Sequence, residues 1–217
     1  MAYRLDPRVQ EVVPSGRGPL LERLAGPLGV VLLVWVVFIL QPLGGRELLL
    51  NFGVPAHDFT RPWTYFTSIF LHGSVAHVSG NTTFLALLGV LIGLEGRRRW
   101  LAVFVGSAIG AGLFISAFTP VGLTIGASGI VFGYFGYILA AALVERTPWI
   151  KLVRIVVAIV LLSAYSATIL VGFLPSGGVS WQAHVGGFVG GIVVAVIAEK
   201  VVEPRSENAV RHRLNPY

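Results

Sequence analysis

Cysteine is absent from the 217 residues, and charged side chains make up only 12% of them, about half the fraction usual in soluble domains. Without cysteine there is no disulfide framework, no thiolate metal site and no cysteine nucleophile. With so little charge, a water-soluble fold of this length could not cover its own surface. Disorder is excluded from the other direction: 55% of the residues are hydrophobic, whereas disordered chains are poor in apolar residues and rich in charge. Aspartate is nearly missing too. Asp6 and Asp58 are the only two, and both lie outside the long apolar runs, so an intramembrane aspartate pair sharing a proton has no candidates. The zinc-protease signature His-Glu-x-x-His does not occur. These absences leave a membrane protein.

Four stretches carry no Asp, Glu, Lys or Arg: 24–45, 62–94, 100–144 and 155–198. A spanning helix needs about 20 residues. The first two stretches therefore hold one span each. The last two hold two each, divided by turns at Thr119-Pro120-Val121-Gly122 and Pro175-Ser176-Gly177-Gly178. The expected fold is all-α, a polytopic bundle of six transmembrane helices near 24–43, 73–93, 100–118, 126–144, 155–173 and 183–201. The first run is longer than a signal-peptide core and no small-x-small site follows it, so it reads as a span. Leu48–His57 is too short to cross and reads as an ordered or interfacial loop.

With six spans, both termini share a side with the 95–99 and 145–154 loops. That side holds 14 of the 16 basic and 8 of the 10 acidic residues, while the opposite loops set Arg46 and Arg61 against Glu47 and Asp58. The positive-inside rule then places both termini and Arg97-Arg98-Arg99 in the cytoplasm of a cell-membrane protein. The net charge of +6 is a topology signal, explained better by the anionic headgroups of the lipid bilayer than by nucleic acid. No repeat or second domain is visible. The chain divides into a cytoplasmic N-terminal tail, 1–23, a membrane domain, 24–202, and a cytoplasmic C-terminal tail, 203–217.

Polar side chains at membrane depth are costly and point to a functional site by default. Three clusters stand out: His72, His77 and Asn81 around the second span; Gly126-Ala127-Ser128-Gly129 at the start of the fourth; and His184 near the start of the sixth, followed by Gly186-Gly187 and Gly190-Gly191. Each alone has a plainer reading. A lone serine bonds back to its own helix, a lone histidine satisfies a neighbour, and spaced glycines let helices approach. In combination they say more. His77 and Asn81, at i and i+4, project from one helix face. Ser128 lies at a helix start, where backbone N–H groups are free. Gly129, Gly133 and Gly136 on the fourth span and Gly187 and Gly191 on the sixth form two smooth strips, and their contact would bring Ser128 within reach of His184. No buried carboxylate can complete a triad, so serine chemistry here would use a Ser–His dyad. No carboxylate or thiolate joins the histidines, so neither a metal nor another cofactor is expected.

These three motifs, in this order, resemble the rhomboid family of intramembrane serine proteases over residues 24–202. The resemblance implies a six-span bundle with termini inside, Ser128 as nucleophile and His184 as general base. It implies an oxyanion hole from His77, Asn81 and the Ser128 N–H, with His72 ordering the loop before the second span. Gly126, Gly129, Gly187 and Gly191 would be structural, as would Phe132, an aromatic four residues after the serine that stacks on the catalytic histidine where the family often has tyrosine. Trp63-Thr64 stands where family members often carry Trp-Arg, and Arg61 is the nearest replacement for bracing the first loop. The implied activity is endopeptidase cleavage of transmembrane segments of other membrane proteins, at a site opening to the extracytoplasmic side. Two alternatives stay open: a catalytically silent relative that binds membrane clients, and a small transporter, which would favour internal repeats.

Overall fold

The computed structural model describes residues 19–175 and 178–214, with the side chains of 165–169 and 199–214 outside the description. Most of the expected N-terminal tail, and Ser176 and Gly177 of the expected last turn, therefore lie outside the described residues. Among the described residues the fold is all-α apart from one two-stranded ribbon with two residues in each strand. Helix α1 (Leu20–Phe52) is followed by β1 (Val54–Pro55), α2 (Thr64–Thr67) and a single 3₁₀ turn (Ser68–Phe70). Then come α3 (Val75–Glu95), α4 (Arg97–Phe118), β2 (Leu123–Thr124), α5 (Ser128–Val144), α6 (Pro148–Gly172) and α7 (Trp181–Leu214).

Among the described residues, α1, α3, α4 and residues 181–198 of α7 are long and apolar enough to cross a membrane, and α5 is apolar but only 17 residues long. Seventeen residues rise about 25 Å, short of a hydrocarbon core of about 30 Å. Such a helix must begin or end below the membrane surface unless its neighbours thin the bilayer. The molecule is thus a multi-helix membrane bundle, with four helices meeting the spanning criteria among the described residues.

The boundaries differ from expectation at three places. Leu48–His57 is not simply a loop. The backbone leaves helical geometry at Gly45 (φ 54°, ψ −147°) and then resumes helix to Phe52, because Glu47 and Leu48–Leu50 are strong helix formers once the glycine has turned the chain. The expected charged loop 145–154 shrinks to a few residues. Pro148 opens α6 at a position where its missing N–H costs nothing, and Arg154 finds partners inside the bundle. It reaches Glu95 at 3.2 Å, Glu145 at 3.0 Å and the Ala141 carbonyl at 3.3 Å. Finally, the 203–217 tail continues α7 as helix through Leu214.

α5 is the hub, with residues 129–138 all buried among α3, α4, α6 and α7. Its contact with α7 is made at backbone distance: a Cβ on Gly187 would overlap the Gly129 carbonyl, and one on Gly191 the Gly133 carbonyl. A second strip, not separated from the first in the sequence reading, packs α7 on α4. There Gly186 faces the Gly110 carbonyl and Gly190 the Gly106 carbonyl. Alternating glycine pairs thus let α7 press against two helices at once. β1 and β2 pair antiparallel, Val54 opposite Thr124 and Pro55 opposite Leu123, tying the loop after α1 to the loop that leads into α5.

Candidate active site

The site is assembled from the loop before α3 and the first turns of α3, α5 and α7. Ser74 caps α3, its hydroxyl accepting the His77 N–H at 3.1 Å, as N-cap serines do. Just before it, His72 is buried at 1% exposure. Its backbone is clasped by Gln41 of α1, which donates to the His72 carbonyl at 3.0 Å and accepts the His72 N–H at 3.1 Å. On the His72 ring, one nitrogen has partners among the described residues and the other, Nδ1, has none. Its Nε2 lies 2.9 Å from Asn81 Nδ2 and 3.4 Å from the Ala127 N–H. Both neighbours donate, so Nε2 is assigned as the acceptor and the proton to Nδ1. His72 does more than order its own loop: it links α1, Asn81 on α3 and the residue before Ser128. The His77 ring meets it edge-on, with centroids 4.9 Å apart.

Gly126 makes the turn into α5. Its φ of +114° lies where side chains are strained, and a Cβ there would come within 2.8 Å of the His77 ring. Its N–H donates to the Ser68 carbonyl at 2.9 Å. Two residues on, Ser128 is the first residue of α5, where N–H groups have no carbonyl four residues back. Its Oγ lies 2.8 Å from His184 Nε2. The other ring nitrogen, Nδ1, lies 2.6 Å from the Gly172 carbonyl at the end of α6. A carbonyl can only accept, so the proton is assigned to Nδ1, which leaves the Nε2 lone pair facing the serine hydroxyl. Phe132, one helical turn beyond Ser128, stacks on the imidazole at 4.1 Å and 7°. Hydroxyl, carbonyl and aromatic face together fix the ring.

Ser128, His184, His77 and Asn81 share the wall of a cavity of about 1010 Å³, roofed by the 119–125 and 178–182 segments. The same four side chains border a more apolar recess of about 540 Å³ toward α6, lined by Gly80, Phe84, Val131, Phe135 and Val171. Gly129 and Gly187, singled out with the site, meet backbone to backbone directly beneath the dyad. Gly191 repeats that contact one turn deeper.

Arg61 ties the loop after α1 together. Its Nη1 donates to the Leu50 carbonyl at 3.0 Å and its Nε to Asp58 at 2.8 Å. Trp63 Nε1 reaches the Asn51 carbonyl at 3.4 Å and Thr67 the Phe52 carbonyl at 2.8 Å. Three successive carbonyls at the end of α1, which lack helical partners, are thus closed by the following loop. Thr64 is fully buried and bonds the Arg61 carbonyl at 2.6 Å. The hydroxyl and N–H of Thr60, together with Arg61, hold the Asp58 carboxyl down to about 2.

Sequence reasoning passed over two partners. Gln41 carried a signal, being a polar residue inside an apolar run just before Pro42. The Gly172 carbonyl carried none, because its part is played by backbone.

A profile of the Rhomboid domain matches residues 60–200. The chain is 32% identical over 180 residues to an uncharacterized protein of Mycobacterium tuberculosis, covering 78% of this chain and 72% of that one. It is 28% identical over 177 residues to the rhomboid protease GluP of Bacillus subtilis, 77% of this chain and 33% of that one. It is 32% identical over 136 residues to RHOMBOID-like protein 1 of Arabidopsis thaliana, 62% of this chain and 34% of that one. The matched stretch runs from the loop ahead of α2 into α7 and takes in both halves of the Ser128–His184 contact, so the chain belongs to the rhomboid family.

Proposed function

We propose that this chain is a serine endopeptidase that cuts transmembrane segments of other membrane proteins. The observation that carries the reading is the oriented dyad: Ser128 Oγ at 2.8 Å from His184 Nε2, with Nδ1 fixed by the Gly172 carbonyl at 2.6 Å. A serine hydroxyl is a weak nucleophile until a neighbouring base accepts its proton. Neutral His184 takes that proton at Nε2 as Oγ bonds to the substrate carbonyl carbon. The oxyanion so formed is received by the Ser128 N–H, His77 and Asn81, which face the same cavity. His184 then returns the proton to the leaving amine as the C–N bond breaks. A water molecule, deprotonated by His184, attacks the acyl ester; the carboxylic acid departs and Ser128 regains its proton. The Gly172 carbonyl does the orienting work that a buried aspartate does in a triad, holding the productive tautomer.

The proposed topology is six crossings, with both termini on the cytoplasmic side and the cavity opening on the opposite face. The short α5 supports a serine below the membrane surface, and a cavity lined by His77, Asn81, Ser128 and Gln182 under uncharged loops supports water entry from one side. The substrate is a membrane helix locally unwound to expose its peptide bond. A bonded serine and histidine favour catalysis over a silent client binder. The test is covalent labelling in detergent by a fluorophosphonate probe. Wild type is expected to label at Ser128 and Ser128→Ala not at all; equal labelling of both would overturn the assignment.

A further inference from the structure

We infer that Gln182 is a substrate-binding residue that hydrogen-bonds the peptide backbone of the unwound segment; this rests on the protease reading above. Gln182 stands two residues before His184 in the first turn of α7. It is 6% exposed, yet it lines the catalytic cavity. A carboxamide offers two N–H donors and two acceptor lone pairs. Here one N–H reaches the Phe118 carbonyl at 3.3 Å, and among the described residues the oxygen meets only the Ser180 hydroxyl, at 3.5 Å. One N–H and most of the oxygen's capacity are left over on a buried side chain at the cavity wall. These groups face the cavity that admits water, so in the empty site water meets them, and a substrate that displaces that water must replace its hydrogen bonds or lose affinity.

The chemistry of that partner follows from the carboxamide itself. It has the same donor and acceptor groups as a peptide unit, side by side in one plane. An unwound helix presents an N–H and a carbonyl at every residue that have just lost their helical partners. A charged side chain would match only half of the amide, whereas the N–H and carbonyl of one extended residue, which point to the same side of the chain, match both. The Phe118 bond holds the carboxamide in place, so no freedom is lost when the substrate arrives.

The experiment uses synthetic transmembrane peptides cleaved by the full-length protein in liposomes. Each peptide carries a single ester in place of one amide within a few residues of the scissile bond. Rates are referred to serines titrated by fluorophosphonate, so misfolded protein does not count. In wild type, one ester position is expected to lower kcat/KM by roughly 3- to 10-fold beyond its neighbours, the worth of one hydrogen bond. In Gln182→Met that position-specific loss should vanish, while the all-amide peptide is cleaved slower by a similar factor, mostly through KM. If Gln182 only clamped Phe118, Gln182→Met would slow all peptides alike and keep the ester profile, and that result overturns the inference. So does a Gln182→Met protein with wild-type kinetics. Failure of the protease reading is separately visible: Ser128→Ala would then cleave the all-amide peptide as fast as wild type.

Discussion

Asn81 and His72 form one unit at the residue scale, because the Asn81 amide is held at 2.9 Å by a ring that is itself buried. On the proposed mechanism, removing the amide takes away one oxyanion donor, worth roughly 10²–10³ in rate where such donors have been removed. Removing the ring leaves the amide in place but unheld. Asn81→Ala is therefore expected to lose roughly 10²–10³ in kcat while Ser128 still reacts with fluorophosphonate. His72→Ala should lose activity through the same group, so the double variant should be barely slower than Asn81→Ala alone, since residues that share one interaction do not add. Multiplying losses would show that His72 acts elsewhere. Steady-state kinetics on one reporter peptide decide it.

A different residue-scale expectation concerns pH. The Asp58 carboxyl is held at about 2 by Thr60 and Arg61, below its ordinary 3.8. A lowered carboxyl pKa contributes stability that is present above the ordinary value and is lost as pH falls through the lowered one. Asp58→Asn should thus melt lower than wild type at pH 5 to 7. The gap should close as pH falls from about 4 to about 2, as followed by intrinsic fluorescence. A gap that persists at pH 2 would mean the clasp does not depend on the charge.

At the scale of elements, the two faces of α7 set the distances. Gly187 has no room for a Cβ against the Gly129 carbonyl, whereas a Cβ on Gly29 of α1 would meet nothing within 4 Å. Gly187→Ala should therefore destabilise by about 1–3 kcal/mol, the usual cost of overpacking, and slow cleavage as well. A misplacement of about 1 Å can cost roughly 10² in rate. Gly29→Ala should be neutral or slightly stabilising, since alanine is the better helix former. Thermal unfolding in detergent compares the two directly. Gly191→Ala should follow Gly187→Ala. The α5–α7 strip was legible in the sequence because three glycines at helical spacing faced two others. The α4–α7 strip was not, because Gly106 and Gly110 sit in an apolar run that names no partner. The helical turns after Gly45 were hidden for a similar reason: a glycine that redirects a helix looks the same in sequence as one that ends it.

For the whole molecule, apolar runs and charge placement were enough to read a membrane bundle. The order of the polar motifs was enough to single out Ser128, His184, His77, Asn81 and His72. What stayed illegible was carried by backbone or by long-range pairing: the Gly172 carbonyl behind His184, the β1–β2 ribbon, and the partners of Arg154 at the ends of α3 and α5. Such features have no local residue signature. The proposed topology is easy to test because the chain has no cysteine, so a single introduced thiol reports one position. Arg98 lies at the start of α4, and Val121, 83% exposed, lies in the cavity roof. The variants Arg98→Cys and Val121→Cys should be labelled by a membrane-impermeant maleimide from opposite sides. Arg98→Cys is expected to react only from the cytoplasmic side and Val121→Cys only from outside. Labelling of both from one side would contradict an α4 crossing.

Everything functional depends on the Ser128–His184 contact being an active one. The most direct measurement is cleavage of a purified transmembrane substrate by the protein in liposomes, with the product termini located by mass spectrometry. Wild type should cut at a single peptide bond within or at the edge of the membrane segment, and Ser128→Ala and His184→Ala should each lose at least about 10³ in rate with their melting temperatures nearly unchanged. Cleavage by Ser128→Ala at the wild-type rate, or no cleavage by a wild type that unfolds cooperatively and carries an accessible Ser128, would contradict it.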